Sequence, residues 1–329
     1  MTQPKKLLCI LVSAVVIASS FAFAGCSSNN AQKLQAVNAN YDSRPINFPS
    51  IVARDKDLFG EEFAKDGITF TWHDLTLPSN QLEALAAKSL DFANSLNYVS
   101  VILAKASGND ITVISAYSRF PQGISLVVRT DASIDALADL RGKKMALTKG
   151  TMLHEMLIRA LAAEQMTEQD LELVNLNAAD ASAALIAGQI DAAILPEPIL
   201  FKTLATGKIK ELCSAEGLIP GLTVIVVRSD FAKTWPEAVK RYLQVHKASL
   251  DWIRENLTEA FEMAAKENQM ESQVVQALYP KFNFDMSLEN VKDDLLKSAV
   301  FLQNEGMIRP EINLEKLVDE LLDPAFLPK

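Results

Sequence analysis

Apolar positions along this chain switch repeatedly between a period of two and a period near 3.6, which predicts alternating strands and helices. Short β-branched or alternating runs mark strands at Leu34–Asn40, Ile68–Asp74, from Phe92, Ile111–Ala116, Ile124–Asp131, Lys143–Leu147, Leu171–Leu176, Ile190–Leu195 and Leu222–Asp230. Helical spacing marks Ile51–Phe63, Gln81–Lys88 with Ser79 as N-cap, Val99–Ala106, Ser133–Leu140 and Thr151–Gln165. From Trp235 onward the pattern is almost entirely helical, with helices expected over Glu237–Glu255, Thr258–Asn268, Met270–Tyr279, Leu288–Asn304 and Leu314–Leu322. Strands that alternate with helices of this length predict an α/β chain with mainly parallel sheets.

One stretch, Ser182–Pro198, concentrates the signals. Gly188 ends a helix, because glycine takes the left-handed conformation cheaply just past a last turn. Ile190–Leu195 reads as a buried strand, and Pro196 and Pro198 stop it and hold Glu197 at its carboxyl end. That end of a strand is where open α/β sheets bind ligands. Much of the pattern occurs once before: Ala84-Leu85, Ala87, Asp91 and Ala93 recur as Ala184-Leu185, Ala187, Asp191 and Ala193. A single repeat at this spacing predicts two similar lobes, not a solenoid. Ile124–Asp131 and Leu222–Asp230 also match in Val-Val-Arg followed by Thr or Ser and Asp, and read as two strands crossing between the lobes.

The first residues stand apart. Lys5 and Lys6 precede an apolar run, Leu7–Ala24, which ends in Gly25-Cys26. This reads as an export leader, with an ordinary cleaved signal or an N-terminal membrane helix as alternatives, and it resembles the bacterial lipoprotein signal, in which the cysteine is lipidated and becomes the new N-terminus; Phe23 stands where that signal usually has Leu. The expected organisation is a leader over 1–25, a tether over 26–35, a first lobe over 36–123, a second over 124–222, and a return to the first over 223–329. Of three cysteines, only Cys213 stays in the mature body, so no internal disulfide is possible. Without Lys5 and Lys6 the chain keeps 30 basic residues against 41 acidic ones, a net charge of −11. No basic tract suits a nucleic-acid backbone.

Three stretches carry a resemblance to the periplasmic solute-binding proteins of ABC importers, in the group for nitrate, sulfonates, taurine and thiamine-precursor pyrimidines. They are Val52–Glu61, Asp139–Thr151, and Leu173–Asp180 with Ala184–Pro198. The resemblance covers nearly all of the mature chain. It implies the type II periplasmic-binding fold, two α/β lobes joined by two crossing strands, and a solute captured between them. It implies as partners a small-molecule solute, an ABC permease with its ATPase, and a membrane reached through lipid on Cys26. A sulfonate-like, taurine-like or nitrate-like anion or zwitterion leads; a pyrimidine-type heterocycle and a signalling sensor are the alternatives. The chain departs from the group in Asn94-Ser95 and Lys88, where glycine is usual, and in Leu195-Pro196, where tryptophan is common, so its cleft is expected to be less aromatic.

Site candidates follow from chemistry at strand ends and helix starts. Ser79-Asn80 and Gly150-Thr151 open helices whose free N–H groups favour anions, with Thr148 and Lys149 just before the second; each alone equally fits plain N-capping. Glu197 suits an amine or ring N–H, or a salt bridge across the lobes. Arg119 suits a sulfonate or carboxylate, or a solvated hinge position, with Arg44 a weaker candidate. Tyr41, Asn97, Tyr98 and Asp180 are second-line contacts, and Asp91 and Asp191 are read as closing turns. His73, His154 and His246 lack metal-ligand spacing, with His154 read as a helix-surface residue, and neither metal nor cofactor is expected. No nucleophile elbow, P-loop or dinucleotide motif is present, so the chain reads as a binding protein and not an enzyme.

Overall fold

The computed structural model describes residues 33–44 and 46–328. The leader, Cys26 and most of the expected tether lie outside them. Gln35 already belongs to the fold, since its carbonyl accepts the Thr69 N–H at 2.9 Å.

The first half of the chain runs β1 (Ala36–Tyr41), α1 (Phe48–Asp55), α2 (Leu58–Ala64), β2 (Thr69–Asp74), α3 (Pro78–Ala86), β3 (Phe92–Asn97), α4 (Tyr98–Ala106) and β4 (Ile111–Arg119). The middle runs β5 (Ile124–Arg129), β6 (Lys144–Leu147), α5 (Met152–Ala163), β7 (Glu172–Asn175), α6 (Ala178–Ile186), β8 (Ala192–Pro196), α7 (Ile199–Leu204) and β9 (Ile209–Ser214). The remainder is β10 (Leu222–Arg228), α8 (Ser229–Thr234), α9 (Pro236–Glu255), α10 (Leu257–Asn268), α11 (Ser272–Leu278), α12 (Val291–Asn304) and α13 (Leu314–Leu321).

Two five-stranded sheets result, ordered β2-β1-β3-β10-β4 and β7-β6-β8-β5-β9. Each has one strand antiparallel to both neighbours: β10 between β3 and β4, and β5 between β8 and β9. This explains the Val-Val-Arg likeness. The two segments hold the same place in two similar sheets, and each strand stays within one sheet. The chain itself passes between the lobes just before each of them, at Phe120–Gly123 and Ala215–Gly221. These passages touch, with the Phe120 N–H donating to the Gly221 carbonyl at 3.2 Å. Gly221 sits at φ +59, and a Cβ there would lie 2.6 Å from Pro121 N.

The internal repeat is structural. Asp91 Oδ2 accepts the N–H of Asn38 at 2.8 Å, and Asp191 Oδ2 accepts that of Lys144 at 3.0 Å. Each aspartate thus ties the turn after a helix to the start of a parallel strand. Lys88 takes φ 61 where Gly188 takes φ 71, so both turns use the left-handed conformation. Ser95, where the family pattern has glycine nearby, also has a positive φ of 56.

Strand alternation sorts the second lobe's core into two faces. Leu126, Val128, Ala192 and Ile194 join the main core, while Val127, Ala193 and Leu195 face α6 and α7 together with Leu185 and Leu200. In the first lobe Tyr242 of α9 stacks on Phe92 of β3 at 3.8 Å between ring centroids. The C-terminal helices complete the covering, with α9 on α1 and α2, and α12 on α4.

Several expected elements differ. The helix expected over Ile51–Phe63 breaks into α1 and α2 at Asp57, which adopts φ 51; aspartate tolerates that region better than most residues. Ser133–Leu140 is helical only as a single 3₁₀ stretch, Leu137–Leu140. β4 runs on through Tyr117–Arg119, because Ser118 and Arg119 pair with Thr223 and Leu222 of β10. Helix α3 begins at Pro78, with Leu77 and not Ser79 in the cap position. α7, β9 and α8 are elements the pattern did not mark.

Candidate ligand-binding cleft

A cleft of about 440 Å³ lies between the two lobes, at the carboxyl ends of the parallel strands. Its wall takes residues from the helix starts that follow β2, β3, β6, β7 and β8: Pro78, Asn97, Thr151, Asn177 and Ile199. Three of these helices are closed by side chains. Asn97 accepts from Ser100 N at 3.0 Å, Thr151 from Leu153 N at 3.3 Å, and Asn177 from Asp180 N at 3.0 Å. Helix α3 has no side-chain cap. Its first-turn N–H groups on Ser79 and Asn80 therefore remain available at the positive end of the helix dipole. A second chamber of about 540 Å³ adjoins the cleft past Leu77, Pro78, Thr148 and Asn177, and adds Ser79, Lys149 and Gly150.

The charged groups of the main cleft are Asp42, Arg44, Asp180 and Glu197. Burial pushes the Asp42 carboxyl up to about 7, against the opposing pull of the Arg44 backbone N–H and guanidinium. Asp42 Oδ1 accepts the Arg44 N–H at 3.0 Å, and the Arg44 Nε stands 3.6 Å away. Arg44 is exposed, with 45% of its side-chain surface accessible. Glu197 is 1% exposed and doubly engaged: it accepts from Phe201 N at 2.9 Å and from Lys281 Nζ at 2.7 Å.

The sequence model of the NMT1/THI5-like proteins matches residues 46–260. The chain belongs to the NMT1/THI5-like family. A Bacillus subtilis (strain 168) protein named for binding aliphatic sulfonates is 28% identical over 327 residues, 96% of this chain and 95% of its own length. The taurine-binding periplasmic protein of Escherichia coli (strain K12) is 29% identical over 210 residues, 63% of this chain and 64% of its own. Among solved structures, the alkanesulfonate-binding protein SsuA of Xanthomonas axonopodis pv. citri, bound to MOPS, superposes with a TM-score of 0.78 at 20% identity, over 88% of this chain and 99% of that one. The nitrate-binding protein NrtA of Synechocystis PCC 6803 does so at 0.70 and 14% identity, over 89% and 87%. The likeness to these structures establishes the periplasmic-binding-protein fold.

Within this family member, the expected site residues separate into three groups. Glu197, Thr148, Thr151, Asn97 and Asp180 line the main cleft, while Ser79, Lys149 and Gly150 line the adjoining chamber. Asn80 follows Ser79 on the exposed first turn of α3. Asn80, Tyr41, Tyr98 and Arg119 line neither cavity. Tyr41 is 5% exposed beneath the Arg54 guanidinium, which lies 4.0 Å from its ring centroid. Tyr98 is fully buried and donates to Glu155. Arg119 pairs with Asp294 of α12 at 2.7 Å, so its charge is spent at the junction of the lobes.

Other residues enter the wall unforeseen. Asp42, Thr76, Gln81, Phe120, Met152 and Asn177 all line the main cleft. Gln81 had a readable signal: with Leu85 it forms the i, i+4 buried face of α3. His154 is buried and bonds Glu168 through Nε2, which corrects its reading as a helix-surface residue. Among the described residues, no group of three or more His, Cys, Asp or Glu could hold a metal ion, and no helix is long and apolar enough to cross a membrane.

Proposed function

We propose that this chain is the exported solute-binding component of an ABC importer and that it captures a small sulfonate-like anion or zwitterion between its lobes. The observation that carries this reading is the convergence of helix N-termini on the cleft and its adjoining chamber, with α3 left uncapped. Such an array stabilises a compact negative group through oriented N–H donors, without a buried countercharge. The family membership and the sulfonate- and taurine-binding relatives support the same class. Closure follows from differential affinity: both lobes contact the solute only when the cleft is shut. The closed form is then what a permease and its ATPase recognise. The heterocycle reading has less support, because Phe120 is the one aromatic residue in the wall among the described residues.

The chain's role is binding, with no chemical step assigned. Cys26 is proposed to carry lipid that anchors the protein on the outer face of a membrane. In a cell fractionation, the wild type then sediments with membranes and Cys26→Ser is recovered as soluble exported protein. Equal partition of both would refute the anchor.

A thermal-shift panel of alkanesulfonates, taurine, nitrate, pyrimidines and short carboxylates tests the solute class. A ligand at ~100 times its Kd adds about 2.7 kcal/mol of stability. Sulfonates or taurine should give the largest shift. A shift with pyrimidines alone would replace the reading.

A further inference from the structure

Three buried side-chain polar atoms lack a hydrogen-bond partner among the described residues: Gln81 Oε1, Arg228 Nε and His246 Nε2. Of the three residues only Gln81 lines the cleft, with its Oε1 buried just behind the wall. The residue is 3% exposed, and its Nε2 donates to the Leu75 carbonyl at 3.0 Å. That bond fixes the amide's orientation, since a flipped amide would set oxygen against oxygen. The side chain is also tied to the strand ends, because the Leu75 N–H donates to the Tyr41 carbonyl at 3.2 Å. Asp42, the next residue after Tyr41, is in the same wall, its Oδ1 accepting the Arg44 N–H at 3.0 Å.

We infer that Gln81 is a specificity-determining residue, whose side-chain oxygen accepts a hydrogen bond from a donor carried by the solute. This rests on the solute-binding reading above. An amide oxygen only accepts, and a buried acceptor left unmet carries its full desolvation penalty. A sulfonate or nitrate group at neutral pH has no hydrogen to give. The partner must therefore be a second group on the same solute. Asp42 in the same wall adds negative charge in its ionised form, which selects a cationic donor. The solute class is thus an anion with an ammonium group a few bonds away, its anionic end at the helix N-termini and its ammonium at Gln81 and Asp42. A plain alkanesulfonate fills the same volume and leaves Gln81 Oε1 unmet, which costs about ten- to hundredfold in affinity.

Calorimetric titration with two isosteric pairs tests this: taurine against 1-propanesulfonate, and β-alanine against butyrate. In each pair a methyl replaces the ammonium. The expected result is taurine bound at least tenfold more tightly than propanesulfonate, with Gln81→Met removing most of that ratio. If the Met variant does not fold, the wild-type ratio alone decides. Equal affinities within the pairs would mean that water meets Gln81 Oε1, and would overturn the inference while sulfonate binding stands. Preference for β-alanine over butyrate with neither sulfonate bound would overturn the sulfonate reading and uphold the role of Gln81. Binding of none of the four would overturn both.

Discussion

The Tyr98 hydroxyl donates to the Glu155 carboxylate at 2.5 Å, joining the helix after β3 to the helix after β6 and so one lobe to the other. The Glu155 side chain is 0% exposed. It also accepts from Ser298 Oγ at 2.9 Å and from the Arg159 guanidinium at 2.6 and 2.8 Å. A buried carboxylate is tolerated only when its lone pairs are met in this way. Nearby, Ser100 Oγ donates to the Gly150 carbonyl at 3.0 Å, a second bond between the lobes.

Tyr98→Phe removes one donor and keeps the ring's packing. The variant should lose about 1–3 kcal/mol of stability in urea unfolding, the cost of an unmet buried acceptor. An unchanged midpoint would show that the bond contributes nothing to the fold.

Lys281 partners the buried Glu197 carboxylate from the C-terminal region. Breaking a buried pair on one side costs about 3–5 kcal/mol, but the Lys281 side chain is 33% exposed, which lowers the expected loss in Lys281→Met to about 1–3 kcal/mol. Chemical denaturation reads this directly. Loss of solute binding without loss of stability would instead give Lys281 a role in the cleft.

Asp42 predicts a pH dependence. Its carboxyl titrates near 3.8 unfolded and is pushed up to about 7 by burial in the fold. Between those values the folded chain keeps a proton that the unfolded chain has lost, so this residue's contribution falls as pH rises through the window. Asp42→Asn should therefore raise stability at pH 8 by about 1–3 kcal/mol and leave it nearly unchanged at pH 3.5. A gain of equal size at both pH values would rule out titration of Asp42 as the cause.

His246 has the opposite sign. Burial against Tyr117 pushes its imidazole down from 6.5 to about 3. From pH 6.5 downward the unfolded chain takes up a proton that the folded chain refuses, so stability falls with falling pH. His246→Gln should flatten the melting temperature between pH 6.5 and 4.5, whatever its offset. A slope as steep as the wild type's would place the acid sensitivity elsewhere.

The parts of the fold legible in the sequence were those set by local chemistry. The turns at Lys88 and Gly188 and the aspartates Asp91 and Asp191 were readable because cap, turn and strand start lie within a few residues. The helix start at Thr151 was readable for the same reason. Arg119 and Tyr98 were not, because their partners lie 175 and 57 positions away. An arginine at a strand end looks the same whether a solute or Asp294 receives it. Glu197 combines both cases: its strand-end position and the alternative of a salt bridge were legible from the flanking prolines, and the partner, Lys281, 84 positions away, was not. Gln81 was a polar residue at a buried helical position, a signal that only the unmet oxygen made specific.

In the proposed mode of binding, an anion is held where helix starts from both lobes meet. Amide chemical-shift mapping by NMR during a taurine titration tests this most directly. The predicted result is saturable shifts at Ser79 and Asn80 of the first lobe together with Thr151 and Met152 of the second, and none at Gly67 or Gly306, which line neither cavity. Shifts confined to one lobe, or centred away from these helix starts, would contradict it.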